Sequence, residues 1–183
     1  MKRILCLLAL PLFGTVAQAE KPFDPKREGV VVIGLAPDTI SVFIGEGRLS
    51  GEQRWKGAQS RATFAGPSKD GYVVARVPAG RLMAFRSVRP VDRSRSEYWF
   101  CGTAFTPTFE VPAGKVVYLG EFTYKWPPGL DPWLLTRDAD IERAREYVDT
   151  NFKWLGGELE PGAFQMMRTR TNCSAKNGTL SYE

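Results

Sequence analysis

The sequence predicts a mainly β fold: an antiparallel β-sandwich with one C-terminal helix, about residues 139–155, and a disulfide-tethered tail. Three observations predict it. Short apolar runs punctuated by proline and glycine recur from Val31 to Leu119, the mark of strands joined by tight turns. The tetrapeptide Val-Pro-Ala-Gly occurs twice, at 77–80 and 111–114, each time between two such runs. A three-and-four spacing then follows at Ile141, Ala144, Val148, Phe152 and Leu155, the stripe of an amphipathic helix.

The chain opens with a leader. Lys2 and Arg3 head an apolar run from Ile4 to Val16 that ends in Ala17-Gln18-Ala19, the order of a secretory signal peptide cut after Ala19. Pro11 and Gly14 interrupt the run, which is too short for a membrane span. Cys6 lies too near the start to leave a hydrophobic segment in front of a lipidation site. Residues 1–19 are therefore the expected signal peptide and 20–183 a single domain, long enough for a real core, located in the periplasm or secreted.

Within the domain, Val31–Leu35 and Thr39–Ile44 flank the turn Ala36-Pro37-Asp38, with Ile40, Val42 and Ile44 facing one way. In each Val-Pro-Ala-Gly copy, proline presets φ near −65° and the glycine accepts the left-handed region, which suits a three-residue hairpin. That geometry sets Val77 opposite Arg81, Ala75 opposite Met83 and Val73 opposite Phe85. In the second copy it sets Val111 opposite Lys115, Phe109 opposite Val117 and Pro107 opposite Leu119. Each hairpin then offers one apolar face, and the two faces bury against each other. Gly45 to Gly71, polar and glycine-rich, reads as a long excursion with one edge strand, and Ala62–Ala65 and Tyr98–Phe105 read as further strands. Val88–Ser96, with Arg86, Arg89, Arg93 and Arg95, reads as a charged, solvated loop.

Trp126-Pro127-Pro128-Gly129-Leu130-Asp131-Pro132-Trp133 is the most unusual segment. It reads either as a plug over one end of the sandwich or as a stiff loop whose two rings stack on a sugar or peptide. Asp138 is the expected helix N-cap, with acids favoured in the first turn, and Gly156-Gly157 ends the helix. One late strand is expected over Ala163–Thr171.

With the leader removed, Cys101 and Cys173 remain, an even pair in an oxidising compartment and so one expected disulfide. Closing that loop of about 70 residues stabilises by up to roughly 4 kcal/mol. The formal net charge of +5 drops to +3 once Lys2 and Arg3 leave, weak support for a nucleic-acid or membrane partner, so no nucleic acid and no membrane span of the mature chain are expected.

Phe109-Glu110-Val111-Pro112-Ala113-Gly114-Lys115-Val116-Val117-Tyr118-Leu119-Gly120, framed by the strands around it, resembles small bacterial exported proteins of unknown function. Their fold is a prealbumin-like (transthyretin-like) β-sandwich, related in pattern to carboxypeptidase regulatory-like domains. The resemblance spans about residues 30–124 and departs from lipoprotein members in lacking a usable lipidation cysteine. It implies a sandwich and an envelope location and carries no catalytic residues over.

The chain contains no histidine, which removes Ser-His-Asp and Cys-His catalysis and the commonest zinc ligand. Carboxylate-only hydrolysis survives, with Glu46, Glu52, Asp70, Glu97 and Glu110 as candidates if two of them share a cleft. Gly45-Glu46-Gly47 does not continue into a nucleotide-binding glycine loop, and Asp138 and Asp140 read as helix caps rather than calcium ligands. No catalytic residue, cofactor or metal ligand is assigned. The expected function is a non-enzymatic binding or accessory module of the cell envelope, its partner an envelope protein or a glycan. The alternatives are a carbohydrate or peptide binder using Trp126 and Trp133, and a carboxylate-based hydrolase.

Overall fold

A computed structural model describes residues 22–51, 54–91, 97–102, 104–125, 133–137, 140–170, 174–176 and 179–181, with backbone alone at 58–65, 133–137, 174–176 and 179–181. The expected leader with Cys6, Cys173 and Trp126 lie outside these residues. The strands are β1 (Glu28–Ala36), β2 (Ile40–Ser50), β3 (Arg54–Pro67), β4 (Tyr72–Pro78), β5 (Met83–Pro90), β6 (Tyr98–Trp99), β7 (Phe105–Phe109), β8 (Val116–Lys125), β9 (Trp133–Arg137), β10 (Leu159–Pro161), β11 (Phe164–Arg168), β12 (Ser174–Lys176) and β13 (Thr179–Ser181). One helix, α1 (Ile141–Asn151), lies between β9 and β10 and runs into a 3-10 turn at Lys153–Leu155.

Two sheets form the sandwich. Sheet A has the order β10-β8-β1-β4, with β9 also on β8; sheet B has the order β11-β7-β5-β2-β3, with β6 also on β5. β12 and β13 pair with each other. The fold is mainly β, as expected, but sheet A is mixed: β1 and β10 both run parallel to β8. No helix among the described residues is long and apolar enough to cross a membrane.

The hairpins expected at the two Val-Pro-Ala-Gly copies do not form. β4 pairs with β1 in sheet A and β5 with β2 in sheet B; β7 belongs to sheet B and β8 to sheet A. Each copy is a corner that carries the chain from one layer to the other, and so is the turn after Ala36. Gly80 and Gly114 hold the left-handed conformation, at φ 63° and 72°. The two corners touch, the Gly80 N–H donating to the Val111 carbonyl at 2.9 Å. Both also bind the start of β1: Ala79 N–H donates to Arg27 O at 2.8 Å and Gly114 N–H to Glu28 O at 2.9 Å.

The inward-facing residues are nonetheless the expected ones. Val73, Ala75, Val77, Met83, Phe85, Phe109, Val111, Val117 and Leu119 all lie in the core between the sheets. Alternation fixes which side chains share a face, and that set is the same whether two strands lie side by side or confront each other across the core. A bulge at Gly120, φ 102°, then changes the parity of β8: its inward residues are Val117 and Leu119 before the bulge, Phe122 and Tyr124 after it.

A second core lies on the outer face of sheet A, where Val30, Val32, Tyr72, Val116 and Tyr118 meet Ala144, Tyr147, Val148, Leu155 and Leu159. The helix thus docks its stripe on the sheet, with Tyr147 added to it. Its N-cap is Asp140, whose Oδ1 accepts from the Arg143 N–H at 3.1 Å; Asp138, the expected cap, lies outside the described residues. The expected late strand is β11, antiparallel to β7.

The stretch from Gly45 to Gly71 is no excursion. β2 continues to Ser50 and β3 returns along it over fourteen residues. Here the glycines make room. A Cβ on Gly45 would lie 2.0 Å from Arg86 Cδ and one on Gly47 2.2 Å from Trp55 Nε1, so the glycines admit these long side chains against the strand. Arg86 is only 5% exposed and Val88 belongs to the core, so the first part of the expected charged loop, through Pro90, is strand β5; Arg93 and Arg95 lie outside the described residues. The free edges of sheet B also approach: Trp55 bridges Thr169 in parallel sense, and the Arg170 N–H donates to Trp55 O at 2.9 Å. The sheet therefore curls, and Trp55, Ala84, Arg86, Thr106, Thr108 and Thr169 are all buried.

The knot of corners has a clear test. A Cβ on Gly29 would lie 2.3 Å from Val111 Cγ1 and 2.7 Å from Pro112 O, the second a backbone atom that cannot swing away. Gly29→Ala is expected to lower stability by about 2–3 kcal/mol, read as a shifted urea midpoint. Gly51→Ala, whose Cβ meets nothing within 4 Å, is expected to stay within about 0.5 kcal/mol.

Candidate functional site

The inward stripe of β2 runs Ile40, Val42, Ile44 and then becomes charged at Glu46. That of β5, followed back from Phe85 and Met83, becomes charged at Arg81. Both transitions occur at the end of the sandwich where β5 leaves sheet B. The last β2–β5 pair is Glu46 with Met83, and the Gly47 N–H still reaches Leu82 O at 2.9 Å. Beyond that point Arg48, Leu49 and Ser50 pair with β3 on one edge and with no described strand on the other.

The space vacated by β5 is a groove of about 680 Å³, within the range of ligand sites, roughly 300–1,000 Å³. β2, the 80–82 corner, β7 and β11 line it. Its apolar part comes from Leu49, Leu82, Phe109, Phe164 and Met167. Phe109 is anchored edge-on against Phe85, ring centroids 6.4 Å apart, and Phe164 against Phe122 at 5.1 Å, so these rings are held by the core. Leu49 is 53% exposed.

The polar part is balanced in sign: Glu46 and Glu110 against Arg48 and Arg81. Glu46 Oε1 lies 3.7 Å from Arg81 Nε, a rim pair that orients more than it stabilises. Such a lining suits a partner with apolar groups and charges of both signs.

The structure separates the candidate carboxylates. Glu46 and Glu110 line this groove together. Glu97 accepts a hydrogen bond from the Ser87 hydroxyl. Asp70 holds a left-handed turn position, φ 54°, and lines a different cavity. Glu52 lies outside the described residues. Among the described residues no group of three or more acidic or cysteine side chains is placed to hold a metal ion.

Trp126 lies outside the described residues, and Trp133 is described in backbone only, as the first residue of β9 opposite Lys125. The expected Trp126/Trp133 contact site therefore lies outside the described side chains. Cys101 is half-buried after β6, while its expected partner Cys173 is outside the described residues. Sequence reasoning missed the groove, although one signal for it exists: two apolar alternations, on β2 and β5, turn charged at the same end. Compared with family models, with curated proteins and with solved structures, the chain matches none.

Proposed function

We propose that this protein is an exported, non-enzymatic binding module of the cell envelope and that the groove beside β2 is its ligand site. The observation that carries the reading is the strand-sized gap left where β5 departs: the open edge at Arg48–Ser50 lies beside an apolar floor with two charges of each sign. Backbone groups on such an edge take an extended peptide by adding a strand, with alternate side chains of the guest meeting pockets. The leader composition supports export, and the likeness of residues 109–120 to exported sandwich proteins supports an envelope location. Stacking of a sugar or peptide on Trp126 and Trp133 remains the alternative mode of binding.

One observation favours a second reading. Glu46 and Glu110 share the groove, which a carboxylate hydrolase requires. Turnover of an envelope polymer by the purified protein, abolished by Glu110→Gln, would establish that reading and displace the first.

The mature chain, titrated with a blocked eight-residue peptide alternating leucine with lysine and glutamate, is expected to show amide shift changes at Arg48–Ser50 and around Leu82. Leu49→Asp is expected to weaken binding about tenfold while moving stability by no more than about 0.5 kcal/mol. Shift changes confined to other surfaces would reject the groove as the site.

We propose also that Cys101 and Cys173 are disulfide-linked and tether the tail. Under non-reducing digestion the peptides holding the two residues are expected to run as one species. Cys173→Ser is expected to cost up to about 4 kcal/mol, read by denaturant unfolding.

A further inference from the structure

The groove as a whole is balanced in sign, but the strand edge inside it is not. β3 lies on the other edge of β2 and sets Arg48 opposite Lys56, Leu49 opposite Trp55 and Ser50 opposite Arg54. Directly opposed residues share a face of the sheet, so the two faces of this strand pair differ in chemistry. On one face Trp55 is fully buried while Leu49 is 53% exposed, which leaves an uncovered leucine at the edge. On the other face stand two cations, Arg48 and Lys56, both exposed.

Like charges directly opposite each other destabilise a strand pair. None of the ion pairs among the described residues includes Arg48 or Lys56. Glu46, next along β2 on the same face, lies 3.7 Å from Arg81 and is committed to it. An acid that balances Arg48 and Lys56 has to come from the strand that joins the edge.

The register says which residue of that strand it is. β5 departs after pairing Met83 with Glu46, and a guest strand that continues its line runs beside Arg48, Leu49 and Ser50. The guest residue opposite Arg48 shares the face of Arg48 and Lys56. Its neighbour opposite Leu49 shares the face of the exposed leucine. A carboxylate suits the first position and an apolar side chain the second. A second copy of this chain, pairing by the same edge, would bring another Arg48 and Lys56 to this place, so charge disfavours it.

We infer that the groove takes an acidic peptide segment, an extended strand that alternates apolar residues with aspartate or glutamate. The carboxylate is received by Arg48 and Lys56, and the apolar side chain lies on Leu49. The inference rests on the reading of the groove as a peptide site and adds the charge of its partner. Because these cations are at the rim, they select and steer the partner more than they hold it, and salt screens them.

The test uses three blocked eight-residue peptides on one leucine frame, with glutamate, glutamine or lysine at the alternate positions. Each is titrated into the mature chain and followed by amide shifts. The glutamate peptide is expected to bind about tenfold tighter than the lysine peptide, with the glutamine peptide between them and the gap narrowing as salt is raised. Arg48→Glu together with Lys56→Glu is expected to reverse the order, so that the lysine peptide binds best. Lys69→Glu together with Lys153→Glu makes the same change of net charge at exposed positions outside the groove and is expected to leave the order unchanged. Equal binding of the three peptides with shifts at Arg48–Ser50 would overturn the inference and leave the groove a peptide site. An equal effect of the two double variants would overturn it likewise, since attraction would then follow net charge alone. Absence of shifts at Arg48–Ser50 with all three peptides would overturn the groove reading and the inference together.

Discussion

The structure depends on one cluster of backbone hydrogen bonds at a single end of the sandwich. There Gly80 binds Val111, Ala79 binds Arg27 and Gly114 binds Glu28. Two chain crossings and the start of the central strand β1 are thereby fixed to one another. Because each corner moves the chain from one layer to the other, their spacing sets the gap that Phe85, Phe109 and Phe122 fill. Glycine is required for conformational reasons at 80 and 114 and for spatial ones at 29, where Val111 and the Pro112 carbonyl occupy the place of a side chain. Arg76 extends the same fastening outward, since its guanidinium meets both Glu28 at 2.6 Å and the Pro22 carbonyl at 2.9 Å.

That fastening also explains where the groove lies. A strand that turns toward the opposite layer abandons its neighbour in its own sheet. β5 does this at Leu82, while the β2–β3 pair runs on to Ser50 and Arg54. The open edge of β2 is thus the geometric remainder of the corner at 78–80. An exposed edge is ordinarily a hazard, since it invites pairing with another chain. Here it is short, flanked by Glu46 and Arg48, and sunk beside Phe164 and Met167, which restricts what can pair with it.

Local pattern revealed which residues face inward, because alternation along a strand is a property of the strand alone. Val73, Ala75 and Val77 or Val117 and Leu119 were legible for that reason. Which strand each one lies beside was not legible, because hairpin and corner impose the same alternation and differ only in contacts between distant segments. Glycine misled in a specific way. At 45 and 47 it was read as looseness, whereas Arg86 and Trp55 occupy the space it leaves. The meeting of Tyr118 and Glu121 beside Gly34 was hidden for a related reason: a spacing of three places them on opposite faces of a regular strand, and the bulge at Gly120 reunites them. The groove was half legible in the change from Ile44 to Glu46 and from Met83 to Arg81, but the sequence does not show that the two changes meet.

The cost of burying polar atoms is met in both layers by the rings that carry them. Trp55 Nε1 has no hydrogen-bond partner in the structure, yet the indole is packed against Gly47 and Gly57 and does not line the groove. Nothing can reach it without moving the sheet, so its cost of about 1–3 kcal/mol is a fixed deficit offset by the burial of a large ring. The hydroxyl oxygens of Tyr72 and Tyr118 are enclosed in the same way beneath α1, and there too the rings, Tyr72 stacked on Tyr147 at 4.7 Å, supply the apolar burial that offsets the polar cost. These atoms therefore belong to the packing of the two cores, whereas the groove beside β2 exposes Leu49 and the charges of Glu46 and Arg48 at its surface.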